Sequence, residues 1–225
     1  MKARLILEYL ISALSTDMSM SRLNVPVFAE ERRPEEIWRQ KVFCILSSQV
    51  RAQKAAAIAD QILESIPFFD DPLPIHKIEE ACFHFLSSGR VGYRFPKSRA
   101  KQISLCWFPF FQVKDEYQDY VRSFDSEEAA RLQIIDTFPG IGLKQASMLL
   151  RNIGASKNLA VIDTHTLFYL RVCHQWDSDH LSQKQYCRAE DILRDDALRY
   201  GLDLNVFDVI VWSAARALKR ANAHV

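Results

Sequence analysis

Apolar residues recur along most of this chain at intervals of three and four, the spacing that lines one face of an α-helix. Runs that alternate apolar and polar at every second residue are nearly absent, and only 6 glycines punctuate the chain. The pattern predicts an all-α protein. The opening MKARLILEYLISAL predicts an amphipathic first helix. Its apolar run is broken by Glu8, is too short to span a membrane and has no small-residue cleavage site after it, which argues against a signal peptide. A polar stretch over 15–24 then separates it from the rest. Pro34, followed by Glu35 and Glu36, predicts a helix start with acid in its first turn. That helix is expected over 37–50, with Ile37, Val42, Cys44 and Ile45 on its apolar face. Residues 47–63 predict a turn and an alanine-rich helix, Pro67, Pro72 and Pro74 a loop, and 77–87 a helix ending before Gly89. Ser98 is expected to cap a helix. Ser126, Glu127 and Glu128 open another that reaches Ile134 and Ile135, and the last two helices are expected at 183–200 and 205–219.

Composition narrows the classes. A chain of 225 residues suits one large domain or two small lobes, and 48% hydrophobic with 25% charged content describes a folded core rather than a disordered chain. A formal net charge of +1 argues against a protein that coats DNA by bulk charge. It leaves room for a local anion site made of helix N-termini and backbone amides. Cys44, Cys82, Cys106, Cys173 and Cys187 are scattered and lack the close spacing of a zinc or iron–sulfur site. They read as reduced, mostly buried thiols of an intracellular protein. The basic cluster Arg90, Arg94, Lys97, Arg99 and Lys101 is either a DNA-contacting surface or an exposed helix face.

The most informative segment is FPGIGLKQASMLLRNIG, from Phe138 to Gly154. Pro139-Gly140-Ile141-Gly142 lies between two apolar helical runs. Two glycines one residue apart let the backbone turn sharply and expose its amides, and the next helix then presents its N-terminus. Such a turn can hold a DNA phosphate whatever the base sequence. Ile141 would plug the hairpin interior. The bland alternative is a tight corner with no ligand. Lys144 falls in the first turn of the second helix, where the macrodipole disfavours a cation and so favours the neutral, nucleophilic amine. The alternative is a phosphate-contacting or solvated lysine. Asp163 lies 19 positions further on, in LAVIDTHTLFYL, where three apolar residues precede it and a helical pattern follows. It is expected at a helix N-cap, held and ionised, able to stabilise positive charge at a sugar C1′.

FPGIGLK followed by VIDTHTLFYL resembles the helix-hairpin-helix, Gly/Pro-Asp superfamily of DNA glycosylases. That resemblance implies a two-lobed helical fold with the active site between the lobes. It also implies Lys144 as nucleophile, Asp163 as its carboxylate partner, and hairpin residues Gly140, Ile141 and Gly142 on DNA. FCILSSQVRAQKAAAIADQIL is similar to the family's early helix pair, which makes Gln49 a candidate to fill the gap left by a flipped base. YRFPKSRAKQI, LKQASMLLRNIG, KQYCRAEDILRD and FDVIVW resemble the compact archaeal-type, second-class 8-oxoguanine DNA glycosylase/AP lyase branch. The likeness spans roughly residues 36–215 of a single glycosylase domain over 1–225, with the hairpin at 134–152 and a poorly matched extension at 1–33. In that branch Asp208 and Trp212 match base-recognition positions; the alternative for Asp208 is a helix-surface or capping role. His165 reads as structural. Phe138 replaces the usual leucine, and the closing ARALKRANAHV is longer than in the branch and different.

The function implied is removal of an oxidised purine, above all 8-oxoguanine, through a lysine Schiff base followed by β-elimination. Two alternatives stay open: a glycosylase for another modified base, as in a phage-defence or base-modification pathway, and a non-catalytic DNA-binding module. No redox metal or organic cofactor is expected, only a structural monovalent cation at the hairpin carbonyls. The expected partner is double-stranded DNA carrying a damaged base, with no membrane. The chain is expected to be a monomer in the cytoplasm or nucleoid.

Overall fold

The computed structural model describes residues 2–16, 31–48, 50–66, 72–89, 91–178 and 181–222. Among these there are eleven α-helices and no strand, as the apolar spacing predicts. The chain divides into two compact units, one of residues 29–155 and the other of residues 1–28 with 156–225. No helix among the described residues is long and apolar enough to cross a membrane.

The 29–155 unit contains α2 (Pro34–Leu46), α3 (Ala52–Ser65), α4 (Ile75–Ser87), α5 (Pro96–Phe111), α6 (Tyr117–Arg122), α7 (Glu127–Thr137) and α8 (Leu143–Asn152). Helix α2 packs against α3, α5 and α8, and α5 packs against α4. Ile37, Val42, Cys44 and Ile45 are buried as the pattern predicts. The core is aromatic at its centre: Trp38 meets Trp107 edge-on at 5.0 Å and stacks on Phe110 at 5.5 Å. Offset and edge-on rings add about 1 kcal/mol per pair beyond their burial.

Two local expectations need correction. Helix α2 stops at Leu46, not Val50, because the Ser47 hydroxyl donates to the Cys44 carbonyl at 2.9 Å and draws the chain into a turn. Ser98 does not cap α5. Pro96, with its fixed φ, starts that helix two residues earlier, so Ser98 lies inside it. Ser126 does cap α7, its hydroxyl accepting from the Ala129 amide at 3.1 Å. Helix α6 and the 3-10 turn Lys114–Glu116 before it were not apparent in the sequence pattern.

The core also holds a lysine. Lys41 is fully buried, and its Nζ donates to the Tyr117 hydroxyl at 2.7 Å. The Nζ lies 3.3 Å from the Phe138 ring centre and 4.0 Å from that of Tyr117. Burial pushes the Lys41 ammonium well below the ordinary lysine range, and the Cys106 and Cys44 thiols oppose this weakly. Burial also pushes the Cys44, Cys82 and Cys106 thiols up to about 12. Phe138 thus serves as the lid of an amine cage.

The other unit contains α1 (Lys2–Thr16), α9 (Thr164–His174), α10 (Gln183–Arg199) and α11 (Leu204–Asn222). Helix α11 packs on α1, α9 and α10, and α1 also meets α9. Leu7 and Ile11 of α1, Leu170 of α9, Leu193 of α10 and Phe207, Ile210 and Val211 of α11 form its core. Each such side chain contributes roughly 2 kcal/mol by leaving water. Helix α9 ends on Gln175 in the left-handed region at φ 55°, with the Trp176 amide returning to the Leu170 carbonyl at 3.2 Å.

Candidate active site

The predicted hairpin joins α7 to α8 inside the 29–155 unit. The Phe138 amide closes α7 on the Ile134 carbonyl at 2.9 Å, and the Ile141 amide turns back to the Phe138 carbonyl at 3.3 Å. Gly140 sits at φ +86°, which only glycine adopts cheaply, and a Cβ there would lie 2.5 Å from the Gln102 side chain. Gln102 is itself held by Arg99, whose Nη1 donates to its Oε1 at 2.6 Å. Ile141 is buried, as expected of a plug. Gly142 takes extended backbone at φ −106°, and its amide donates to Gln145 Oε1 at 3.3 Å.

Helix α8 therefore starts with its axis fixed by the turn. Its first amides, at Leu143, Lys144 and Gln145, have no intrahelical acceptor. Those amides and the dipole behind them make an anion-binding end. Lys144 stands in this first turn, half-buried, with a charge that the Cys44 thiol senses. Around the turn, the Phe138 carbonyl accepts one amide and the Pro139 carbonyl accepts the Cys106 thiol at 3.7 Å. Each carbonyl oxygen has two lone pairs, so acceptor capacity remains, which fits a monovalent cation. No group of three or more His, Cys, Asp or Glu among the described residues is suited to a metal.

Asp163 lies in the other unit, at the N-cap of α9. Its Oδ1 accepts from the His165 amide at 2.7 Å and the Thr166 amide at 3.1 Å. Its Oδ2 accepts from the Trp212 indole Nε1 at 3.1 Å. Both oxygens are thus oriented by donors. The extended segment before Asp163 is held by side chains rather than by a sheet. Ala160 N donates to Glu190 Oε1 at 2.9 Å, Val161 N to Asp208 Oδ2 at 3.2 Å and Ile162 N to the Tyr186 hydroxyl at 3.2 Å. The Tyr186 hydroxyl in turn donates to the Ala160 carbonyl at 2.8 Å.

Asp208 is buried, and its Oδ1 accepts from the Thr166 hydroxyl at 3.3 Å. It holds the segment that carries Asp163. Trp212 is half-buried, one helical turn further along α11, and meets the His165 ring edge-on at 5.6 Å. Burial lowers the His165 pKa, Asp163 raises it, and Lys219, Arg216 and Arg220 lower it further. Gln49 and Arg90 lie outside the described residues. In the basic segment Arg94, Lys97 and Lys101 are exposed, and Phe95 beside them is 46% exposed. Glu190, Tyr186, Arg216 and Lys219 escaped the sequence reading. KQYCRAEDILRD contains the first two, but nothing in its helical period shows that their tips bond backbone.

A family model described as 8-oxoguanine DNA glycosylase matches residues 24–202. The chain is 32% identical over 180 residues to an 8-oxoguanine DNA glycosylase/AP lyase of Methanocaldococcus jannaschii, covering 79% of each chain. It is 28% identical over 187 residues to one of Korarchaeum cryptofilum, covering 82% of each. A solved structure of the M. jannaschii enzyme with 15mer DNA containing 8-oxoguanine aligns with TM-score 0.65 at 31% identity, over 80% of this chain and 81% of that one. The 8-oxoguanine DNA glycosylase of Thermotoga maritima aligns with TM-score 0.62 at 26% identity, over 80% and 79%. With the hairpin, the first-turn lysine and the capped aspartate in place, the chain belongs to the 8-oxoguanine DNA glycosylase family.

Proposed function

We propose that this protein is a bifunctional DNA glycosylase/AP lyase that removes 8-oxoguanine from duplex DNA. The observation that carries the reading is Lys144 in the first turn of α8, directly after a glycine hairpin whose amides suit a phosphate. The target nucleotide leaves the stack at a cost of a few kcal/mol, and Gln49 fills the gap. The hairpin amides grip a backbone phosphate; the Phe138 and Pro139 carbonyls would hold a monovalent cation, which would add positive charge there. The Lys144 amine attacks C1′, and the C1′–N bond breaks with its electron pair leaving on the base. Asp163, oriented by three donors, stabilises the positive charge at C1′. Opening of the sugar gives an iminium. Loss of a C2′ proton then expels the 3′ phosphate by β-elimination.

Borohydride should trap a covalent complex with duplex containing 8-oxoguanine, and Lys144→Gln should abolish trapping while duplex binding survives. Cleavage by Lys144→Gln would remove Lys144 from its role. Release assays across a panel of oxidised and alkylated bases test the assignment of 8-oxoguanine as the base removed.

A further inference from the structure

We infer that Arg216, with Lys219 and Arg220 beside it on α11, forms a second binding site for a DNA backbone phosphate, on the unit that carries Asp163. The inference rests on the reading of the chain as a DNA glycosylase and extends it to a surface the hairpin does not include.

Lys219 and Arg220 stand three and four residues after Arg216, so each neighbours it on the surface of α11. Like charges at that spacing repel, yet among the described residues no carboxylate pairs with any of them. The Arg216 guanidinium lies 4.8 Å from the centre of the Trp212 ring, the indole that donates to Asp163. Among the described residues it makes no hydrogen bond. Held over the ring, the guanidinium keeps its N–H groups free of protein acceptors among the described residues, and a guanidinium can offer two of them to the oxygens of one phosphate. Lys219 is anchored nearby: its Nζ donates to the Thr164 carbonyl at 3.0 Å and lies 4.9 Å from the Phe168 ring centre. Asp163 is the one acid acting on His165 in this cluster, against these three cations. The His165 Nδ1 is shielded from solvent and has no hydrogen-bond partner among the described residues. In a chain of net charge +1 such a concentration of unpaired positive charge marks a polyanion contact.

A helix C-terminus accounts for cations in its last turn, which covers Lys219 and Arg220. Arg216, further back and pinned on an indole, is not explained that way.

The test is the salt dependence of affinity for an undamaged duplex, followed by fluorescence anisotropy. Each phosphate contact contributes about 0.9 to the slope of log Kd against log salt. Arg216→Gln should reduce that slope by about 0.9, and Arg216→Gln with Arg220→Gln by about 1.8. Arg216→Lys should keep it, as should Arg4→Gln, which removes a cation already paired with Glu8 at 2.8 Å. An unchanged slope in the double variant overturns the inference, and so does an equal loss in Arg4→Gln. A wild-type chain with no affinity for duplex overturns the proposed function itself.

Discussion

The Trp212 indole N–H donates to Asp163 Oδ2 at 3.1 Å, so the carboxylate at the head of α9 is aimed by a side chain of α11. The other carboxylate oxygen is occupied by two amides of its own helix. Loss of either kind of donor would free the carboxylate to rotate, with different consequences: the amides also cap the helix, whereas the indole N–H bonds the acid alone.

Trp212→Phe keeps a ring over Arg216 and removes that one donor. A hydrogen bond to a charged group is worth roughly 1.5–3 kcal/mol, so the single-turnover excision rate should fall about tenfold to a hundredfold. Thermal stability should change little, since Trp212 is only half-buried. An unaltered excision rate would show that the indole does not position Asp163.

Gly140→Ala places a side chain at φ +86° and against Gln102, whereas Gly142→Ala meets nothing nearer than Gln145 Oε1 at 3.4 Å. The left-handed strain costs about 1–3 kcal/mol, which in a domain of this size lowers Tm by a few degrees per kcal/mol. Calorimetry should find Gly140→Ala clearly less stable than Gly142→Ala. Equal melting points would refute a strained turn.

Lys41 makes stability depend on pH. Its folded pKa is lowered by burial, so the unfolded chain binds more protons between that value and the ordinary lysine value near ~10.4. Stability should therefore rise with pH through this window, by as much as roughly 1.4 kcal/mol per pH unit from this group. Lys41→Met should flatten the rise, so that the stability difference between the two proteins changes with pH. Parallel curves for the two proteins, by denaturant unfolding at several pH values, would sink the claim.

Gln175 holds the left-handed residue that ends α9 at φ 55°. Gln175→Gly relieves that conformation and should stabilise the protein by about 0.5–1 kcal/mol, read as a rise in Tm. A drop would mean that the Gln175 side chain makes a contact worth more than the strain.

The local signals were legible because each sits within a few residues of its own cause. The glycine pair sets the Gly140 turn, the Asp163 side chain reaches its own following amides, and the apolar spacing put Ile37, Val42, Cys44 and Ile45 inward. Lys41 was missed although it stands four residues from both Ile37 and Ile45, since its residue type suggests solvent and its spacing the core. Asp208, Tyr186 and Glu190 reach backbone amides 47, 24 and 30 residues away. Such bonds leave no period in the sequence. Asp208 is buried and tethers the Val161 amide and the Thr166 hydroxyl, a structural bond that its sequence context did not show.

Helix α11 carries both the tether at Asp208 and the indole at Trp212, which constrains how this protein can change its diet of lesions. A lineage acquiring a new substrate has little freedom at those two positions, because altering either disturbs Asp163. The stripe Val209, Ser213 and Ala217 runs along the same helix without being fully buried. That stripe is therefore free to vary while 208 and 212 stay fixed.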